Sequence, residues 1–116
     1  MSKIYIPDRG HIIWLDFEPT KGKEIGKYRP AFILSSKTYA KQTGLLICCP
    51  ISTSIRNTLS EIKLDILEKP SVITTNLIQT LSWQERNARF ICQTEPDILK
   101  QVLYRLLPLI GFENNL

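Results

Sequence analysis

Between Gly10 and Phe17 (GHIIWLDF) β-branched and aromatic residues run almost without interruption until Pro19, a pattern that suits a strand and closes it. Pro30 to Ser35 (PAFILS) predicts a second strand, and Leu45 to Ile51 (LLICCPI) a third that is buried. Between these two, Lys37 to Thr43 reads as a short helical turn closed by Gly44. Alternating polar and apolar positions over Ser60 to Ile66 (SEIKLDI) mark a half-buried strand, and Ser71 to Leu81 (SVITTNLIQTL) and Arg89 to Gln93 (RFICQ) add two more. Short strands separated by turn signals predict a mainly β chain folded as a compact barrel or sandwich. No internal repeat or low-complexity segment breaks the series.

The end of the chain changes period. Ile98, Leu99, Val102, Leu103, Leu106, Leu107 and Ile110 recur at helical spacing, so an amphipathic helix is expected, ended by Pro108 with Gly111. Thr94 stands at the N-cap position, Pro96 in the first turn, and Asp97 where a capping box has its acid. By contrast, Glu18 to Tyr28 (EPTKGKEIGKY) carries Pro, two Gly and alternating charge with little apolar content, which marks a long exposed loop.

Charge sharpens the picture of that loop. From Glu18 to Arg29, Lys21, Lys23, Lys27 and Arg29 face only Glu18 and Glu24, so part of the chain's net +4 sits on one arm and favours an anionic partner. With 116 residues, 43% hydrophobic and 22% charged, one folded domain spanning 1–116 is expected, with a modest core and apolar surface left for self-association. Adjacent Cys48 and Cys49 point to opposite faces of a strand, and with Cys92 they make an odd number, which fits free thiols in a reducing compartment. His11 is the sole histidine and no His/Cys spacing resembles a zinc site, so neither metal nor cofactor is expected. Without an apparent leader or a membrane-length apolar run, a cytoplasmic protein with no membrane partner is the expectation.

Several motifs occur together near the start: Pro7-Asp8-Arg9-Gly10, Trp14, Asp16-Phe17-Glu18-Pro19 and Arg29-Pro30-Ala31, followed by Thr43-Gly44, Cys49-Pro50-Ile51-Ser52-Thr53, Trp83 and Arg86. In this order they resemble the MazF/PemK toxins over about two thirds of the chain. The resemblance implies a small SH3-like β-barrel of the MazF/CcdB type with an amphipathic C-terminal helix. It further implies a homodimer that cuts single-stranded RNA without metal, held in check by a MazE-like antitoxin with an acidic disordered segment. It carries the catalytic pair onto Arg29 and Ser52, with Thr53 and Glu24 as further catalytic candidates.

Cutting RNA without metal makes the 2′-OH attack its own phosphate, so a site must take one proton, give one to the leaving 5′-oxygen and neutralise charge on phosphorus. A guanidinium meets the last need, since its planar fork donates two hydrogen bonds and keeps its charge. Arg29 stands before a proline where the loop joins a strand; taken alone it reads as an ordinary surface arginine, and the surrounding motif makes it the catalytic candidate. Ser52 and Thr53 either donate to a phosphate oxygen or end a strand as turn residues. Glu24 either handles a proton or is solvated loop charge; Lys21, Lys23, Lys27 and Tyr28 either hold phosphates and stack a base or simply solvate the loop. Arg56, Gln79 and Arg86 complete the candidate RNA-binding set, whereas His11 is read as structural and Trp14 and Trp83 as packing or interface residues.

Two departures from the family pattern stand out. Ser52 replaces the usual threonine and loses a rotamer-restricting β-branch, and Asn76-Leu77 stands where Asp-Gln is common. They leave room for a slower enzyme, an altered base preference, or a degenerate homologue that binds RNA or antitoxin without cutting. A gyrase-binding poison like CcdB is the other rival; it depends on a Trp-Gly-Ile end, whereas this sequence finishes Gly111-Phe112-Glu113-Asn114-Asn115-Leu116.

Overall fold

The computed structural model describes residues 4–19, 22–23 and 26–113. Strands β1 (His11–Asp16), β2 (Tyr28–Ile33), β3 (Leu45–Ser52), β4 (Glu61–Leu64), β5 (Ser71–Thr74), β6 (Gln79–Ser82) and β7 (Arg89–Gln93) are joined by helix α1 (Lys37–Thr43) and followed by helix α2 (Pro96–Leu109). Neighbours run in the order β4-β5-β3-β2-β1-β7, with β6 also on β3. Every pairing is antiparallel. The expected mainly β, barrel-like architecture with a C-terminal helix is present, in the form of a half-barrel whose path ends at β4 and β7.

The expected single strand Ser71–Leu81 is two strands separated by a 3-10 turn, Thr75–Leu77. The cause lies in β3. Its Leu45–Cys48 half pairs with β6 and its Ile51–Ser52 end with β5, leaving Cys49 and Pro50 between them. Pro50 has no N–H to continue a ladder. Its carbonyl is satisfied instead by the Thr74 hydroxyl at 2.7 Å, and Thr75 bonds Ser60 through both N and Oγ1. The second strand also begins earlier than Pro30 and stops before Ser35, because Tyr28 and Arg29 pair with Asp16 and Leu15.

Strand alternation sends apolar residues to both faces of the sheet. One core holds Ile12, Phe32, Cys49, Ile51 and Ile73, covered by Val102 and Leu106 of α2. The other holds Ile13, Leu15, Ala31, Ile33 and Cys48, covered by Ala40 of α1 and by Trp83. Cys48 and Cys49 therefore do face opposite ways, and all three cysteines are free thiols. Burial pushes Cys49 up to about 12, which makes it an inert core residue. Trp83 packs as expected and donates from Nε1 to the Ala40 carbonyl at 2.9 Å. Trp14 is 40% exposed and stacked on Tyr28, compatible with the interface alternative.

At the start of α2 the capping expectation fails. Glu95 is the N-cap and makes no side-chain capping bond, while Thr94 is buried and donates from Oγ1 to the Gly10 carbonyl at 2.7 Å. Tying the helix to the turn before β1 outcompetes capping, and Asp97 accepts from Gln101 instead. Pro108 lies inside the last turn rather than ending the helix, which reaches Leu109 before Gly111 turns at φ 99. Ile110, placed on the apolar stripe by its spacing, is exposed. Among the described residues no helix is long and apolar enough to cross a membrane.

Candidate active site

Leu15 and Ala31 point into the α1-side core, and Arg29 pairs directly with Leu15, so the arginine lies on that same face. The β2–β3 register matches Ala31 with Pro50 and Ile33 with Cys48. That pairing ends at Ala31–Pro50; two residues beyond it on each strand, strand alternation puts Arg29 and Ser52 toward the same face. The two residues to which the sequence assigned the chemistry therefore share a face of neighbouring strands.

The root of the loop holds Arg29. Lys27 takes a left-handed φ of 73; its N–H donates to the Glu18 carboxylate at 2.8 Å and its carbonyl accepts from Phe17 N at 3.0 Å. Arg29 Nε then donates to the Gly26 carbonyl at 2.6 Å, which fixes the direction of the guanidinium. Partial burial lowers the pKa of Arg29, and the Glu18 carboxylate opposes that shift. Starting so far above neutrality, the group stays cationic at working pH. Arg86, assigned to RNA binding from the sequence, has a positioning part here: its Nη1 donates to the carbonyls of Asp16 at 3.0 Å and Glu18 at 2.9 Å, clamping the same root.

Ser52 is buried, and its Oγ accepts from Ser54 N at 3.0 Å. The turn reading is seen in that bond, which occupies a lone pair and leaves the hydroxyl proton able to donate. That bond also restrains the rotamer, a service the missing β-branch would otherwise perform. Ser52 opens on a groove of ≈ 410 Å³ shared with Lys23, Ser54, Arg56, Asn76 and Leu77. The Asn76-Leu77 departure lies in the 3-10 turn on the groove wall, where it bears on what the groove accepts. Arg29 does not line the groove itself.

The other sequence-assigned residues scatter. Gln79 pairs with Cys48 and so shares the Arg29 face, while Thr53 and Lys27 are exposed. Tyr28 points to the opposite face, stacked on Trp14 at 5.5 Å with its hydroxyl donating to the Asn87 carbonyl. Lys21 and Glu24 lie outside the described residues. His11 is structural: its Nδ1 is 2.6 Å from the Tyr5 hydroxyl, its ring meets Phe90 edge-on, and burial lowers its pKa. Sequence reasoning missed Glu18 and Glu61 as organisers. Glu61 accepts from the backbone N–H groups of Arg56 and Thr58 and so shapes the loop along the groove. Its signal was an acid opening β4 directly after that loop. Among the described residues no three His, Cys, Asp or Glu side chains converge to hold a metal ion.

A fixed cation and a hydroxyl donor on one face, beside a groove carrying Lys23 and Arg56, are suited to holding a phosphodiester. Ser52→Ala should therefore lower turnover on such a substrate by about 10²-fold, the cost of losing one preorganised donor. Ser52→Thr should keep the rate, and single-turnover kinetics on the two variants checks both.

The sequence profile described as PemK-like, MazF-like toxin of type II toxin-antitoxin system matches residues 8–110. The endoribonuclease toxin MazF of Escherichia coli K12 is 34% identical over 111 residues, covering 96% of this chain and 100% of that one. The crystal structure of MazF from Deinococcus radiodurans superposes with a TM-score of 0.90 at 34% identity, covering 94% of this chain and all of that one. A MazE–MazF structure from the same organism gives 0.83 at 33% identity, with 95% and 100% covered. The chain belongs to the PemK-like, MazF-like toxin family of type II toxin-antitoxin systems.

Proposed function

We propose that this chain is the toxin of a type II toxin-antitoxin pair, an endoribonuclease that cuts single-stranded messenger RNA and thereby stops translation and growth. The observation that supports the reading is that Arg29 on β2 and Ser52 at the end of β3 share a face just beyond the last β2–β3 pair. Arg29 neutralises the phosphorane-like charge through its fork, and Ser52 donates to a phosphate oxygen. Thr53, exposed at the end of β3, and Glu24, on the loop, are the further candidates for proton handling. The relatives support the setting: one is named an endoribonuclease toxin, and another is solved with MazE. By extension, this chain acts in the cytoplasm as a homodimer and is silenced by an acidic antitoxin segment lying over its basic loop.

Attack by the 2′-OH makes a definite demand. Replacing the ribose at the cut position by deoxyribose should abolish cleavage there while neighbouring ribose substitutions are tolerated. Continued cutting at the deoxy position would show that water is the nucleophile and overturn the mechanism.

A further inference from the structure

Beyond the Arg56–Thr58 loop lies a second groove, of ≈ 450 Å³, lined by Asn57, Lys63, Gln101 and Arg105 together with Thr58 and Glu61. The Ser52 groove also counts Thr58 and Glu61 among its walls, so the two abut. Among the described residues, four cations run along the pair, Lys23 and Arg56 in the first groove and Lys63 and Arg105 in the second, against the acid Glu61. The whole chain has 15 against 11. The charge bias is therefore local rather than inherited from composition. Glu61 itself is engaged by the backbone N–H groups of Arg56 and Thr58, which softens its repulsion of an anion. Asp97, on the helix that carries Gln101 and Arg105, is occupied in accepting from Gln101. Arg105 donates from Nη1 to the Leu59 carbonyl, which holds its guanidinium against the loop between the grooves with further donors to offer.

We propose that the second groove is a flanking-nucleotide subsite, in which Lys63 and Arg105 bind backbone phosphates of single-stranded RNA that continues past the Ser52 groove. The inference rests on the ribonuclease reading above. An RNA strand carries one phosphate per nucleotide, so a line of spaced cations is engaged only by a strand long enough to reach them. An acidic polypeptide shares the charge, but most of the lining side chains are polar; among the described lining residues only Ile62 is the apolar kind that a bound peptide anchors on. Nucleotide phosphates are the better match.

The test compares wild type with the Lys63→Gln/Arg105→Gln double variant on two RNAs that share a cut site. One spans only the nucleotides next to the cut, and the other is extended on both sides; kcat and KM are measured against salt. For wild type, the long RNA should have the lower KM and the steeper salt dependence. The double variant should lose that advantage, with the slope shallower by about 0.7 for each phosphate contact removed, and the loss should be confined to the long RNA. Arg105→Lys keeps the charge and should retain most of the advantage. The subsite is overturned if the double variant keeps the full advantage, if wild type shows none, if Arg105→Lys loses as much as Arg105→Gln, which would mean loop anchoring, or if only binding to poly-glutamate falls. A wild type that cuts neither RNA overturns the ribonuclease reading itself, a result distinguishable from all of these.

Discussion

Arg29→Ala cuts RNA at least about 10²- to 10³-fold more slowly than wild type while remaining folded. The rate term follows from removing a charged two-pronged donor aimed at transition-state charge, for which that loss is typical of even a neutral donor. The stability term is small. Arg29 is half-buried on β2, and its recorded bond runs from Nε to the Gly26 carbonyl, worth about 1 kcal/mol net. Its neighbours Leu15 and Ala31 keep the strand in place through their own burial. Arg29→Lys should fall between, since a point charge remains but the fork and the Gly26 contact are lost. The paired measurement is single-turnover cleavage and thermal melting on one preparation. A folded alanine variant that cuts at the wild-type rate would remove Arg29 from the mechanism.

Trp83→Ala should cost about 3–5 kcal/mol of folding stability, the usual range for emptying a large aromatic from a core. Trp83 is 6% exposed, packs against the α1-side cluster and satisfies the Ala40 carbonyl at 2.9 Å. Its removal leaves a cavity and takes away one of the two hydrogen bonds at the Ala40 carbonyl, which keeps the Gly44 N–H at 2.9 Å. For a domain holding about 5–15 kcal/mol in total, that is a large share. Trp83→Phe should recover much of the packing but not the hydrogen bond. Urea melts of the two variants decide the matter: a loss below about 1 kcal/mol in the alanine variant would mean that the cluster closes over the gap and is not held by this ring.

What the sequence made legible was mostly local or carried by motif. Hydrophobic runs located β1, β3 and β7, and the Gly44 signal ended α1 where expected, at φ 74. Arg29 and Ser52 came from the family pattern, and strand alternation puts them on one face of neighbouring strands. Illegible features depended on long-range partners. Whether Ser71–Leu81 forms one strand or two is decided by the two halves of β3 and the unpaired Pro50, which lie outside the segment. Thr94 carries an N-cap's side chain, yet Gly10, distant in sequence, claims its hydroxyl. Arg86 reads as one more cation on a basic chain, and only the approach of β1 to the turn after β6 shows it clamping the loop root. Tyr28 and Trp14 illustrate the same limit: strand alternation puts them on the face away from Arg29, although Tyr28 is its neighbour in sequence.

The central claim is that this protein cuts RNA with its own side chains through 2′-OH attack. The most direct measurement incubates the purified wild-type protein with a long RNA in excess EDTA and maps the chemistry of the new ends. The account predicts undiminished cleavage giving 2′,3′-cyclic phosphate and 5′-hydroxyl ends. Cleavage that stops in EDTA and returns with a divalent cation, or fragments that begin with a 5′-phosphate, would contradict it.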